Sequence, residues 1–153
     1  LLKQLENKMD VAGKATQRLL ASKEIVEDYQ KRIKSLEQQN KFEDILKSHT
    51  EILKKIDGLL DDMLGKEDKR QGITATEFPS TISYLYTASR YVNSLLQNPG
   101  TTETTLVKNA DEKVRAVISK INTFYKTDWI NYKNSVENLK LSPFEEVKEL
   151  EYK

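Results

Sequence analysis

The only histidine of the chain, His49, has the side chain most often used in catalysis or metal binding. It lies within an apolar series with helical spacing of three and four residues. The members of that series are Phe42, Ile45, His49, Ile52, Ile56, Leu59 and Met63. A di-metal site in a helical bundle pairs Glu-x-x-His units, and Leu46 stands where that glutamate would be. We therefore predict a histidine at or near the core, with a hydrogen-bond partner and with no metal or cofactor.

The densest group of carboxylates is Asp57, Asp61 and Asp62. A calcium loop would need acidic residues at alternate positions followed by a glycine, so this group is interpreted as the charged end of a helix. The chain has no cysteine, no glycine-rich phosphate loop, no Gly-x-Ser-x-Gly and no His-Glu-x-x-His. The sequence thus predicts no catalytic residue within these 153 positions, and it leaves open whether a longer parent protein is an enzyme.

Four aromatic residues, Phe124, Tyr125, Trp129 and Tyr132, are close together in sequence. They have two interpretations, a box for an organic ligand or ordinary packing in a core, and the spacing favours packing.

The segment that positions these aromatic residues runs from Thr101 to Leu139 without proline or glycine. Its apolar residues recur at three- and four-residue steps, which predicts one amphipathic helix roughly 57 Å long. These residues are Leu106, Ala110, Val114, Val117, Ile121, Phe124, Trp129, Tyr132, Val136 and Leu139.

The first 64 residues carry two apolar stripes whose registers differ by two positions, or about 200° around a helix. The first stripe comprises Leu2, Leu5, Met9, Ala12, Thr16, Leu19, Val26, Tyr29, Ile33 and Leu36. A continuous helix would turn its apolar face to the opposite side, so we predict a hairpin near Gln38–Asn40. Gly65 ends the second helix, and Ser80 or Thr81 caps a third. The 65–79 connection between them is long enough to be either functional or packed on the bundle.

The predicted helices cover about 1–38, 42–64, 80–97 and 102–139, followed by a tail at 140–153. Together they predict a single all-α domain, an antiparallel up-down-up-down four-helix bundle with two long outer helices (1 and 4) and two shorter ones. If the two hairpins align all four helices at one end, helices 1 and 4 extend as a pair at the other end. Both termini would lie there, and the long connection, the tail or a neighbouring domain would cover the exposed strip.

The third helix has a wide apolar face, which serves either as core or as a docking surface. This face and the overhanging ends of helices 1 and 4 give the predicted interaction surface. Its residues are Tyr84, Tyr91, Leu95, Leu5, Met9, Trp129 and Tyr132.

The charges nearly cancel, with 25 basic and 24 acidic residues, so no overall field favours nucleic acid. No apolar run is long enough to span a membrane. The chain begins inside a periodic pattern, without an initiator methionine, and we expect it to belong to a longer protein.

A family resemblance rests on two groups of motifs. The first is Gln71-Gly72-Ile73 with Pro79 and the tyrosine-rich helix leading to Asn98-Pro99-Gly100-Thr101. The second is Ile121-Asn122-Thr123-Phe124 with Trp129, Tyr132 and the 139–144 segment. Over residues 71–144 they resemble the C-terminal helical region of large β-propeller proteins of Bacteroidota with BNR-type or sortilin-like repeats, often described as glycosyl hydrolases. The resemblance implies an exported parent, secreted, periplasmic or at the cell surface, whose propeller precedes this chain and holds any glycan-processing site.

Three hypotheses of function follow. The first is a non-catalytic accessory domain that contacts the upstream propeller of the same chain. The second is a ligand-binding bundle that uses His49 or the aromatic residues. The third is self-association through helices 1 and 4.

Overall fold

The computed structural model describes residues 1–36, 42–66, 79–95 and 98–139. Every regular element in these ranges is a helix, which confirms the predicted all-α bundle. The five helices are α1 (Leu2–Lys34), α2 (Glu43–Leu64), α3 (Thr81–Asn93), α4 (Thr101–Lys126) and α5 (Asp128–Asn138). The predicted tail and most of the 65–79 connection, including Ile73 and Phe78, lie outside the described residues, as does Leu96.

α1 buries one residue in every seven, the repeat expected of helices that pack along their whole length. The buried residues at this spacing are Leu5, Ala12, Leu19, Val26 and Ile33. A second row of buried and half-buried residues runs beside the first and consists of Leu1, Lys8, Ala15 and Ser22. This row begins one position earlier in the sequence than predicted. Leu2 and Met9, which the sequence placed in the stripe, are therefore exposed.

Local signals end and begin the helices as the sequence predicted. Gly65 ends α2 with φ of 91°, a backbone angle that a residue with a side chain rarely adopts. Ser80 caps α3, and its hydroxyl accepts the N–H of Ser83 at 3.2 Å. At the start of α4 the Glu103 carboxylate accepts the N–H of Gly100 at 2.9 Å.

The long helix predicted at 102–139 is divided at Thr127 (φ −119°, ψ −78°) into α4 and α5. The Thr127 hydroxyl donates to the Thr123 carbonyl at 2.8 Å, and the Thr123 hydroxyl donates in the same way to Ser119 at 3.0 Å. Hydroxyl groups that bond back to a carbonyl four residues earlier tend to bend a helix. The two pieces still form one rod of the bundle, because Asn131 N–H reaches the Thr127 carbonyl at 3.1 Å.

Ion pairs define the directions of the long helices. Lys55 pairs with Asp128 at 2.5 Å and Asp62 with Lys120 at 2.8 Å, so α2 runs antiparallel to the α4–α5 rod. Lys8 pairs with Asp111 at 2.9 Å, and the Ser22 hydroxyl lies 2.7 Å from that of Tyr125. Both pairs are 103 residues apart in sequence, so α1 runs parallel to the α4–α5 rod.

The arrangement of the two short helices differs from the prediction. The Thr81 hydroxyl donates to the Asp62 carbonyl at 3.0 Å, so α3 begins where α2 ends. The Lys113 ammonium lies 5.3 Å from the centre of the Tyr84 ring, so α3 then runs antiparallel to the first part of α4. α2 and α3 follow one another in the same direction instead of lying side by side. The 22 residues of α2 and the 13 of α3 together match the 33 of α1, which is why this stacking covers the long helices from end to end.

This stacking corrects the predicted overhang. We call the end that contains α3 the lower half of the bundle and the end that contains α2 and α5 the upper half. The start of α1 packs with α3 and α4 in the lower half, whereas Leu139 lies in the upper half. The N-terminal residues therefore do not face Trp129 and Tyr132, and the first and last described residues lie at opposite ends. Buried residues from all five helices form one core.

Candidate functional site in the upper half

The pair of His49 and Tyr132 is the most unusual feature of the upper half. α2 places His49 in the core, with none of its surface exposed, and α5 places Tyr132 beside it. The two ring centroids are 5.4 Å apart and the rings are inclined by 61°, an edge-to-face contact. The predicted core histidine is confirmed.

Three polar atoms of this pair are buried without a hydrogen-bond partner among the described residues: both ring nitrogens of His49 and the hydroxyl of Tyr132. Native interiors rarely contain such atoms, because each costs about 1–3 kcal/mol. The predicted hydrogen-bond partner of His49 is thus absent among the described residues.

Burial sets the charge state of the pair. It lowers the pKa of His49, and the nearby Lys34 lowers that pKa further. It raises the pKa of Tyr132 far above its ordinary value, with Tyr29 adding to the effect. At neutral pH the imidazole is therefore neutral and the phenol keeps its proton.

The aromatic residues predicted from the sequence do lie together. Trp129 packs against Tyr132 at 5.6 Å, Tyr125 at 5.9 Å and Phe124 at 6.2 Å between ring centroids. The Tyr125 hydroxyl bonds Ser22 on α1, and the Arg18 guanidinium lies 5.9 Å from the Tyr125 ring. The rings fill the space between the helices by contacting one another, as the packing interpretation predicts.

A groove of about 170 Å³ lies between α2 and α5, and Tyr132 but not His49 belongs to its lining. Its lining is mostly polar and consists of Ser48, Glu51, Ile52, Lys55, Asp128, Asn131, Tyr132 and Ser135. The ion pair between Lys55 and Asp128 joins its two walls.

The three aspartates interpreted as a charged helix end include two that pair with lysines of neighbouring helices. Asp57 pairs with Lys23 at 2.7 Å, and Asp62 with Lys120. Within the described ranges no group of three or more His, Asp or Glu side chains is placed to hold a metal ion.

The seven residues of the predicted interaction surface are not all on the surface. Leu5 and Tyr132 are buried in the core, and Tyr84, Leu95 and Trp129 are half-buried. Met9 and Tyr91 are exposed, Met9 on α1 and Tyr91 on α3. The structure places Met9 and Trp129 in opposite halves, because α1 runs parallel to the α4–α5 rod.

A second apolar surface, not predicted from the sequence, lies in the lower half. We call it the α1–α3 seam and define it by Leu2, Met9, Ile82 and Tyr86. All four side chains are exposed, Tyr86 by 66%. Neither Ile82 nor Tyr86 belongs to the interaction surface predicted from the sequence. The four-residue spacing of Ile82 and Tyr86 was a usable signal, because it places both on one side of α3.

Within the described ranges, no helix combines the length and the apolar character needed to cross a membrane. Comparison with known proteins gives no relative, since no family model, curated protein or solved structure matches the chain.

Proposed function

We propose that this chain is a non-catalytic helical interaction domain and that the α1–α3 seam contacts its partner. The observation that carries the proposal is that four large apolar side chains are exposed on adjacent helices and that none of them belongs to the hydrophobic core. Contiguous exposed apolar surface is typical of interaction sites.

The four residues share one side of the bundle. Val11, Ala15 and Arg18 of α1 line a cavity with Ile118 and Ile121 of α4. Helical geometry puts Leu2 and Met9 on the other side of α1, toward α3.

Tyr84 of α3 contacts Lys113 of α4, so Ile82 and Tyr86 lie on the side of α3 toward α1. The 103-residue offset between α1 and α4 places Met9 opposite position 112, and the antiparallel pairing of α3 with α4 places Tyr86 at the same height. Met9 and Tyr86 thus form the centre of the seam.

The partner we propose is an upstream β-propeller of the same protein, an exported glycosyl hydrolase. Its support is the motif resemblance over residues 71–144. In this proposal the propeller holds any catalytic site, and the helical domain contributes contact surface.

Hydrogen exchange tests the contact. The chain alone is compared with the same chain joined to the domain that precedes it in its parent protein. We expect slower exchange in the joined protein for residues 2–12 and 81–93, because docking suppresses opening of the seam.

The substitutions Met9→Ser and Tyr86→Ser together should abolish that protection, whereas Tyr91→Ser, on the opposite side of α3, should preserve it. Identical exchange in the isolated and joined forms would count against the proposal.

Self-association and ligand binding are the alternatives. Sedimentation velocity at increasing concentration would reveal a dimer of the isolated chain, and a dimer lost with Met9→Ser and Tyr86→Ser would assign the seam to self-association.

Ligand binding is favoured by the three unpaired atoms of His49 and Tyr132. Its test is whether a small polar compound or a metal ion raises the melting temperature of the natural chain but not of His49→Leu.

A further inference from the structure

In the upper half, two of the three pairs of neighbouring rods are bridged by ion pairs. Lys23 of α1 pairs with Asp57 of α2 at 2.7 Å, and Lys55 of α2 pairs with Asp128 of α5 at 2.5 Å. The third pair is α1 with α5. Among the described residues no ion pair joins these two helices, and no Cα atom of α1 lies within 8 Å of one in α5. The bundle is therefore most open between them.

The outer side of α1 and of the α4–α5 rod carries a row of apolar side chains. We call this row the parallel face, because the two rods run parallel, and define it by Val11, Ile25, Ile118, Trp129 and Ile130. Val11, Ile25 and Ile130 are 41%, 47% and 46% exposed, and Ile118 and Trp129 are half-buried against the core. Val11 and Ile118 line one cavity of about 150 Å³ between α1 and α4.

Helical geometry continues the row into the upper half. Ile25 follows Val11 by fourteen residues, so both lie on the same side of α1. Because Asp128 faces α2, Trp129 is turned toward α1 and Ile130 toward the outer lip of the opening. The 103-residue offset between α1 and the rod sets Ile130 level with position 27 of α1. From Val11 to that level the row extends about 24 Å, the length of a helix of about 16 residues.

Cations lie on both sides of the parallel face. Arg18 and Arg32 stand seven residues before and after Ile25 on α1, and Lys126 stands one turn before Ile130 on the rod. All three are exposed, and none forms an ion pair with another described residue. Their charges are therefore available to a partner.

The carboxylates on this side offset the cations only in part. Glu137 pairs with Lys133 at 3.8 Å and Asp111 with Arg115 at 2.7 Å, so these two pairs add little net charge. Asp28 is the carboxylate of α1 nearest to the row, about 60° around the helix from Ile25. The parallel face thus combines an apolar row with an excess of positive charge.

We infer that the parallel face binds an amphipathic helix of a partner protein in which acidic residues flank the apolar row. An elongated apolar groove between two helices is the form of site that receives such a helix. Charge complementarity selects the acidic class, because the cations on both sides attract carboxylates and repel a basic helix. The site is separate from the α1–α3 seam, which lies on the other side of α1, and the inference does not depend on the proposed function.

Two synthetic peptides test the charge preference. Both are helices of about 18 residues with the same leucines at heptad spacing, and they differ only in carrying glutamate or lysine beside the leucines. Fluorescence anisotropy of the labelled peptides measures their affinity for the full chain. We expect the acidic peptide to bind about tenfold tighter or more, with an advantage that shrinks as salt is added.

Two double variants assign the binding to the parallel face. Ile25→Ser with Ile130→Ser should weaken binding of the acidic peptide by about tenfold or more, because two apolar contacts are lost. Arg32→Glu with Lys126→Glu should reverse the preference between the peptides. All four positions are exposed, so circular dichroism should show unchanged helix content.

The matched control is Met9→Ser with Tyr86→Ser, which alters the α1–α3 seam and should leave peptide binding unchanged. Loss of binding in this control, or binding that survives Ile25→Ser with Ile130→Ser, would overturn the inference without bearing on the contact of the seam with the propeller.

The single tryptophan of the chain reports directly on the site. Saturation with the acidic peptide should shift the emission of Trp129 to shorter wavelength and lower its acrylamide quenching constant. Equal affinity for the two peptides, binding of neither, or binding without a change at Trp129 would overturn the inference. So would protection of Trp129 that rises with the concentration of the chain alone as sedimentation detects dimers, since a second copy would then occupy the face.

Discussion

The two halves of the bundle are built on the same three rods but use side chains of different size. The lower half buries three alanines, Ala12, Ala88 and Ala110, one from each rod. The upper half buries His49, Phe124 and Tyr132, with Trp129 against them. Small residues let α1 approach α4 closely, whereas rings hold α5 away from α1. We attribute this difference in the spacing of the rods to the difference in side-chain size.

The two halves nevertheless share one core. The substitution with the largest expected effect on stability lies where the halves meet. Ile121 is buried just above the point where α2 ends and α3 begins, since Lys120 pairs with Asp62 there. Ile121→Asp buries an unpaired charge and should lower the free energy of unfolding by on the order of 4 kcal/mol. Asn122→Asp, at an exposed position, should cost little. Urea unfolding followed by circular dichroism measures both, and equal costs would mean that the buried face is wrongly assigned.

Core truncation distinguishes the halves directly. Phe124→Ala in the upper half should cost about 3–5 kcal/mol, because a large ring is lost and a cavity remains. Val107→Ala in the lower half removes two methyl groups and should cost about 2 kcal/mol. Both residues are buried to a similar degree, with 4% and 5% exposed. Chemical denaturation gives the two values, and a larger cost for Val107→Ala would contradict the comparison.

Enlarging a core side chain should cost more stability in the lower half than in the upper half, the reverse of the order expected for truncation. Ala110→Leu adds three carbon atoms where the rods are closest, and overpacking of this kind costs about 1–3 kcal/mol. Val136→Leu in the upper half, where α1 and α5 are farther apart, should cost less. Thermal unfolding of the two variants measures the difference, and a greater loss for Val136→Leu would show that helix spacing does not control tolerance.

Acid should affect the upper half first. Burial lowers the pKa of His49 in the folded state, so the unfolded chain binds the proton more readily. Stability is therefore retained above the unfolded pKa of about 6.5 and falls as pH drops below it, by at most about 1.4 kcal/mol per pH unit.

His49 is the only histidine, so His49→Leu should remove this slope between pH 7 and pH 5.5 in urea titrations. A slope that persists in His49→Leu would have to come from carboxylates and would contradict the assignment.

The smallest effect concerns the cap of α3. Ser80→Ala removes the acceptor of the Ser83 N–H and should cost about 1 kcal/mol. Because α3 is short and lies in the lower half, the loss should appear as faster hydrogen exchange in residues 81–93 with little change in α2. Ser94→Ala, at the other end of α3, is the matched control. Equally faster exchange in α2 would show that the halves do not open separately.

Much of the fold could be predicted from residue spacing. The positions of α1 and α2, their antiparallel packing, the end of α2 at Gly65 and the cap at Ser80 all follow from local patterns. The turn predicted near Gln38–Asn40 lies outside the described residues. The break at Thr127 could not be predicted from hydrophobic spacing, because the apolar series continues across it. At that point the Thr123 and Thr127 hydroxyls each bond back to a carbonyl four residues earlier.

The candidate site was predicted in part. The position of His49 in the core follows from the apolar series on either side of it, and the four aromatic residues are close in sequence. The contact of His49 with Tyr132 joins residues of two helices that are far apart in the chain, and no local pattern specifies it. The exposure of Ile82 and Tyr86 also depends on which side of α3 meets α1.

By itself the sequence determined that the chain forms amphipathic helices, where most of them begin and end, and which residues are apolar enough to form a core. Those properties depend on the period of 3.6 residues and on capping, and both are local. Only the tertiary structure decided that α2 and α3 stack end to end and that α1 and the α4–α5 rod run parallel. That arrangement depends on how three rods of matching length cover one another's apolar faces. The free energy of this packing comes from contacts along the whole chain and not from any local segment.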